Sequence, residues 1–128
     1  TADTPMTYHK LATLKNMAKQ IPPGNKFNQN PFVNAFGVVI GFTAPSQTKR
    51  GDWMCQCTLV DETCTVPITL LIFASSIKLL PQLQRMGDVL RLHRVSLGQW
   101  KDEAQLSGIK CSSFVVIRNN TQANSWKV

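Results

Sequence analysis

The feature that most limits the fold of this chain is a long segment of β-forming residues that two glycines interrupt. Residues 32–42 read FVNAFGVVIGF, in which Val, Phe and Ile predominate and Gly37 and Gly41 break the run. β-Branched and aromatic side chains favour strands, and a glycine inside a strand often marks a bend. We therefore predict one long, bent strand here.

Four more segments have the composition of strands. They are, in order, residues 53–60, 66–73, 88–97 and 111–118. Pro67 is compatible with the second of these because a strand tolerates proline at its start. The polar residues 98–108 are predicted to form a loop between the fourth and fifth strands of the chain.

Two segments have helical patterns. Apolar residues recur at helical spacing within residues 7–19, which predicts a short helix or turn. Residues 75–85 also predict a helix, because Ser75 or Ser76 offers a cap and Gly87 a stop signal. Pro81 is unfavourable inside it and is expected to open a second short turn.

Three strands, a helix and two strands predict a mainly β protein with an OB-fold, a five-stranded, partly open Greek-key barrel with a helix between strands three and four. We assign residues 1–31 to an N-terminal extension, 32–118 to the OB domain and 119–128 to a polar tail. OB-folds usually bind oligonucleotides or oligosaccharides across strands two and three. The fold alone does not decide the function.

Charge narrows the class of partner. The 128-residue chain has 14 basic and 7 acidic residues, a net charge of +7. Such a field favours a polyanion, either nucleic acid or, less often, an anionic membrane surface, although a basic protein without such a partner has the same composition. No apolar run approaches the ~20 residues of a membrane span, and the N-terminus lacks the pattern of a signal peptide. We predict no membrane association.

The residues indicate no catalytic or metal chemistry. The four cysteines, Cys55, Cys57, Cys64 and Cys111, do not have a familiar zinc spacing. We expect reduced thiols that pack as small apolar residues, with Cys55 and Cys57 on the same face of a strand. No nucleophile lies beside a histidine, and there is no phosphate-binding glycine loop. We predict a protein that is not an enzyme, with no cofactor and no small-molecule substrate.

Four segments together resemble a known family. They are VNAFGVVIGF (33–42), GDWMCQCTLVDET (51–63), ITLLIF (68–73) and LPQLQRMGDVLRLHRVSLGQW (80–100). In order and spacing they are similar to the first OB domain of the protection-of-telomeres proteins, relatives of the alpha subunit of the ciliate telomere end-binding protein. The resemblance implies binding of the G-rich single-stranded overhang at chromosome ends, end protection and control of telomerase access. Members usually carry a second OB domain after the first, and the sequence leaves open whether this chain is a fragment that lacks it.

The resemblance also implies which residues contact DNA. The matching positions are the acid before strand two, the aromatic ending strand three, and basic, aromatic and amide residues in and after strand four: Asp52, Phe73, Arg94, Trp100, Lys101 and Gln105. Some members have a base-stacking aromatic at the position of Gly41; here either that contact is absent or Phe42 replaces it.

The chemistry of these residues is compatible with DNA binding, but without the resemblance a core position for Phe73, a turn position for Asp52 and a solvated loop position for Gln105 are the more common cases. Aromatic rings stack on any base, and a carboxylate such as Asp52 can accept both N–H groups of a guanine edge. Lys49 and Arg50, in a loop, either meet phosphates or are solvated. Arg91 and Arg94 lie three apart and therefore on opposite faces unless a bulge intervenes, and we assign Arg94 to the DNA face.

Two other functions remain open from the sequence. One is a general single-strand binder of the replication protein A type, for DNA or RNA, which would lack side chains that read base edges. The other is an OB-fold used for contacts between proteins. The resemblance implies a location in the nucleus at telomeres and leaves open a protein partner from the telomere complex.

Overall fold

The computed structural model describes residues 7–22 and 30–118. Within these ranges the chain forms one α-helix, α1 (Leu11–Ala18), and a short 3-10 helix (Ile77–Leu79). The strands are β1 (Tyr8–His9), β2 (Phe32–Phe42), β3 (Ser46–Gln47), β4 (Trp53–Asp61), β5 (Cys64–Ala74), β6 (Val89–Trp100), β7 (Glu103–Gly108) and β8 (Ser113–Ile117).

Five of these strands close a barrel. β2 pairs antiparallel with both β4 and β6, β4 pairs antiparallel with β5, and β7 lies between β5 and β6. The β5–β7 pairing is parallel, which is the contact that closes the barrel. The predicted mainly β OB-fold is therefore confirmed.

The first barrel strand is bent, as its glycines predict. The register of β2 shifts between Val33 and Ala35 against β6 and between Val39 and Gly41 against β4. At Gly37 an added Cβ would lie 2.9 Å from Cβ of Leu59, a core residue of β4. Only glycine allows the two backbones to approach this closely, and the bend lets β2 pair with two neighbours.

The prediction of a loop over residues 98–108 is wrong. β6 continues to Trp100, a two-residue turn follows, and β7 occupies Glu103–Gly108. The fifth barrel strand is thus divided, because β7 and β8 both pair with β6 and residues 109–112 bulge out between them. The segment predicted as strand five, 111–118, contains β8, which pairs with β6 and not with β5.

The helix predicted over residues 75–85 is also wrong in extent. Only Ile77–Leu79 is helical, as a 3-10 turn, and Leu80 is already extended, with a ψ of 145°. The residue before a proline disfavours the α conformation, so Pro81 ends the helical turn at Leu80. The second short turn expected at Pro81 is not observed, since residues 81–84 have no regular structure.

α1 closes one end of the barrel, within the predicted range 7–19. Its buried residues Leu11, Leu14 and Ala18 belong to the core. The helix lacks a side-chain cap of its own, and the Leu11 N–H instead donates to Asp61 Oδ2 at 2.8 Å. The part of the N-terminal extension that carries α1 therefore packs as an integral part of the barrel.

The core lies inside the barrel and contains three of the four cysteines, so the expectation that the thiols pack as small apolar residues is confirmed for those three. Its fully buried side chains include Leu59, Leu70, Leu92 and Leu106. Cys55, Cys57 and Cys64 are buried and unpaired, whereas Cys111 is exposed, contrary to expectation, because the 109–112 bulge turns outward. Burial raises the pKa of the Cys57 thiol to about 12, so it stays protonated.

Candidate nucleic-acid interface

The strands β4, β5 and β7 present a continuous outer face opposite the core. On β4 and β5, side chains that alternate with buried ones point outward and are paired in register across the sheet. Gln105 of β7 continues this set beside Thr69, whereas Ser107, the next β7 side chain on that side, is buried. We call this set the outer face: Met54, Gln56, Thr58, Thr69, Leu71, Phe73 and Gln105. It is the surface on which OB-folds usually bind oligonucleotides.

One row of this face crosses the sheet at right angles to the strands. Gln105 pairs with Thr69, Thr69 with Thr58, and Thr58 with Gly41 of β2. The row continues to Gly98 of β6, where an added Cβ would lie 2.8 Å from Nδ2 of Asn30. Asn30 therefore covers the Gly98 end, and the open part of the row consists of short polar side chains with one amide, Gln105.

Trp100 and Lys101 border one end of the outer face. Trp100 is 60% exposed, and Lys101 Nζ lies 5.7 Å from its ring centroid, within cation–π range. Lys101 and Asp102 have φ values of 51° and 64°, the conformation of a type I′ hairpin turn. The tight turn holds Trp100 at the end of a barrel strand rather than in the loop that the sequence predicts.

The other end of the face carries the remaining loop and strand residues. Phe73 lies on the outer face near the end of β5, paired with Met54, and Asp52 is exposed immediately before β4. Lys49 and Arg50 are exposed in the connection between β2 and β4. The Thr48 N–H donates to the Asp52 carbonyl at 2.7 Å, which orders this connection next to Phe73.

These residues border a cleft of about 1060 Å³, the seam cleft, where β8 diverges from the end of β5. Its walls come from the β2–β4 connection, the end of β5, the 3-10 segment and the 109–114 segment: Lys49, Arg50, Asp52, Phe73, Leu79, Leu80, Pro81, Ile109, Lys110 and Phe114 among others. Lys110 also lines the cleft, as the third basic residue there after Lys49 and Arg50, and the sequence analysis did not include Lys110 among the candidates. The available sequence signal was a basic residue immediately before the strand predicted over residues 111–118.

Arg94 lies at a bulge in β6, so the strict alternation of side chains that would place Arg91 and Arg94 on opposite faces of the strand does not apply. The φ of Arg94 is 55°, its N–H donates to Asn34 Oδ1 at 2.9 Å, and its carbonyl accepts from Ser112 Oγ at 2.6 Å. These contacts join it to β2 and the 109–112 bulge, not to β4 or β5. The backbone of Arg94 is therefore held by β2 and the 109–112 bulge, and Arg94 is not a member of the outer-face set.

Arg91 and His93 lie on the side of the barrel formed by β2, β6 and β8. Arg91 is paired with Phe36 and with Val115, and His93 forms a hydrogen bond with the Tyr8 hydroxyl. Burial and the positive charges of Arg91 and Arg94 lower the pKa of His93, which is consequently neutral at pH 7. This agrees with a structural role for His93.

Phe42 and Gly41 point to opposite sides of the sheet. Gly41 is paired with Thr58 of the outer face, whereas Phe42 is paired with Cys57, whose side chain is in the core. Phe42 is 38% exposed at the end of its strand. Its ring does not occupy the position that a side chain at Gly41 would have, so the outer face is flat there.

The two aromatic ends of the face are separated by a distance that suits a short oligonucleotide. With a rise of ~3.3 Å per residue and ~4.8 Å between strands, the pairing registers put Trp100 and Phe73 about 22 Å apart. About six stacked nucleotides at 3.4 Å each cover this distance, within the site size of a single OB-fold. Among the described residues no cluster could hold a metal ion, and no helix is long and apolar enough to cross a membrane.

Comparison with known families agrees with this geometry. The family model described as telomeric single stranded DNA binding POT1/CDC13 matches residues 3–127, nearly the whole chain. The chain belongs to the POT1/CDC13 family. Protection of telomeres protein 1 of Mus musculus is 35% identical over 92 residues, which are 72% of this chain and 14% of the relative. The family is defined by DNA binding and not by a reaction, so this POT1/CDC13 member is a binding protein and not an enzyme.

Solved structures show the same fold. The structure of fission yeast Pot1 with single-stranded DNA superimposes with a TM-score of 0.74 at 24% identity, covering 88% of this chain and 35% of that one. A replication protein A heterotrimer bound to single-stranded DNA superimposes with a TM-score of 0.66 at 14% identity, covering 97% of this chain and 28% of that one. Both likenesses support the OB-fold of this POT1/CDC13 member.

Proposed function

We propose that this POT1/CDC13 domain binds G-rich single-stranded telomeric DNA along the outer face, between Trp100 and Phe73. The observation that carries the proposal is the continuity of this face, with an exposed aromatic and a cation, Trp100 and Lys101, at one end. Phe73 lies at the other end, with Lys49 and Arg50 beside it. Between them the cross-strand row is short and polar, which leaves room for a strand.

Each class of side chain has a separate task in this proposal. Trp100 and Phe73 stack on base faces, which any base provides. Lys49, Arg50 and Lys101 neutralise phosphates and supply affinity without sequence preference. A carboxylate repels phosphates, so Asp52 must gain base contacts to be favourable, and guanine offers it two adjacent N–H donors.

Gln105 is the second candidate reader of a base edge. It lies in β7 between Gly98 and Thr69, a rigid strand position, and its amide both donates and accepts. A reader fixed on a strand has less freedom to adapt to a different base than one on a loop. The combination of Asp52 and Gln105 favours sequence-preferring binding over the general single-strand binding of the replication protein A type.

The cellular role is part of the same proposal. The chain spans 14% of the length of its mouse relative, so the functions of the whole protein rest on the family. We propose that it acts in the nucleus at telomeres, where it protects the single-stranded end and limits telomerase access, together with a protein partner from the telomere complex.

A titration against G-rich, C-rich and scrambled single strands of equal length tests the proposal. The G-rich strand should bind most tightly, and two to four phosphate contacts should give a log–log salt slope of about −1.4 to −2.8. Equal affinities with the same slope would instead indicate a general single-strand binder. No binding, or no salt dependence, would favour a module for contacts between proteins.

A further inference from the structure

The seam cleft is a concave feature that adjoins the end of the outer face and extends beyond it. It opens where β8 diverges from β5, and its walls combine apolar side chains with three cations, Lys49, Arg50 and Lys110, and one acid, Asp52. Its volume of about 1060 Å³ is at the upper end of small-molecule pockets, enough for more than one nucleobase.

We infer that the DNA strand continues from the outer face into the seam cleft, where Lys110 binds a phosphate and the apolar wall receives an unstacked base. The inference rests on the function proposed above. Phe73 and Asp52 belong both to the outer face end and to the cleft, so a strand that contacts them is already at its entrance.

Lys110 is held in position by its surroundings. The segment 109–112 is a closed turn, because the Ile109 N–H donates to Ser112 Oγ and the Ser112 N–H donates to the Ile109 carbonyl, both at 2.9 Å. Ser112 Oγ in turn donates to the Arg94 carbonyl of β6 at 2.6 Å. Lys110 therefore projects from a turn anchored to the barrel, which reduces the entropic cost of ordering it on a ligand.

The base of the turn is equally constrained. At Gly108 an added Cβ would lie 2.4 Å from Cζ of Phe114. The Phe114 ring thus packs directly on the backbone of β7. Phe114 and Lys110 both line the cleft, so this contact and the 109–112 turn lie at the same wall.

Contact with the apolar wall of the cleft is more favourable for the face of a base than exposure to bulk water. Leu79 is 67% exposed at the cleft, and the buried Leu80 lies next to it. A base placed there stacks or packs on aliphatic carbon while its phosphate remains at the cationic rim. Asp52 at the entrance gives the same strand a guanine contact before it enters.

Two nested series of strands test the inference on the intact chain. A six-nucleotide G-rich strand matches the outer face, and it is extended by one to four nucleotides at its 5′ end or at its 3′ end. Wild-type protein should gain affinity several-fold on extension at one end only. Lys110→Gln should remove this gain and reduce the magnitude of the log–log salt slope on the extended strand by about 0.7. On the short strand the affinity and the salt slope of Lys110→Gln should equal those of wild type.

Two further variants make the test specific. Lys19→Gln removes the same charge at the α1 end of the barrel, outside the seam cleft, and should keep the wild-type gain on extension. Leu79→Ser changes an exposed residue of the cleft wall and should lose the extension gain without loss of melting temperature.

The outcomes separate this inference from the proposed function. If the short strand binds but extension adds nothing at either end, or adds equally at both, the seam cleft does not take DNA. The same conclusion follows if Lys110→Gln weakens short and extended strands equally or matches Lys19→Gln. If wild-type protein binds neither strand, the proposed function itself is overturned together with the inference.

Discussion

Replacing Trp100 with alanine should weaken DNA binding far more than it weakens the fold. Trp100 is 60% exposed, so about 80 Å² of a side chain of about 200 Å² is buried. At ~25 cal/mol per Å² its removal costs at most about 2 kcal/mol of unfolding free energy, against about 3–5 kcal/mol for a buried tryptophan.

The exposed ring is available to a base. Stacking is worth about 1–3 kcal/mol per base, so Trp100→Ala should lower single-strand affinity by about ten- to a hundred-fold. Trp100→Tyr keeps a ring at the same position and should cost little. Melting temperature and oligonucleotide affinity should be measured on the same preparation of each variant.

A matched control uses an exposed aromatic on another side of the barrel. Phe36 is 39% exposed and is paired with Arg91 on the side formed by β2, β6 and β8. Phe36→Ala should have near wild-type affinity for the six-nucleotide strand. The reasoning is refuted if Trp100→Ala binds like wild type, or if its stability falls by the amount typical of a buried tryptophan.

Three other substitutions test separate parts of the structure. Asp52→Ala should lose about 1–3 kcal/mol of binding to a guanine strand and less to one with inosine or adenine at the contacted position; tighter binding to every strand would mean that only repulsion was removed. Asp61→Ala should cost about 1–2 kcal/mol of stability, measured by denaturant titration, because its carboxylate caps α1 through the Leu11 N–H. Burial by itself would raise the pKa of Asp61, but the hydrogen bonds from Leu11 and Thr63 lower it overall, so this stability is present above the unfolded value near 4 and is lost as pH falls through the lower folded pKa; equal acid sensitivity of wild type and Asp61→Ala would contradict it. Asp102→Gly should raise the melting temperature, since φ of 64° is easier for glycine, and should leave DNA binding unchanged or slightly tighter; a lower melting temperature would show that the Asp102 side chain stabilises the turn.

Local sequence signals predicted the elements that carry strong alternation. β2, β4 and β5 occupy almost the predicted residues, because their β-branched and aromatic side chains alternate between core and surface. β7 was missed because its residues EAQLSG have little β preference. It is a strand only since β5 and β6 supply backbone partners on both sides, which no local pattern reveals.

The candidate site residues also divide into what the sequence identified and what only the structure showed. Residue chemistry and family resemblance identified Asp52, Phe73, Trp100, Lys101 and Gln105 as candidates, and the structure arranges them at the ends or on the surface of the outer face. Whether they contact DNA stays a prediction. Arg94 is an exception, because it lies at a bulge with φ of 55° where its backbone bonds to Asn34 of β2 and to Ser112.

The sequence by itself determined the class of this protein: its alternation and glycines require a bent β barrel, its charge favours a polyanion, and its motifs are those of the POT1/CDC13 family. Only the tertiary structure decided which backbone groups pair across the chain. That pairing divides the fifth barrel strand, caps α1 with a distant carboxylate, and brings Lys110 to the seam cleft beside Lys49 and Arg50. These features depend on contacts between residues far apart in the chain, where side-chain preferences of single segments carry no information.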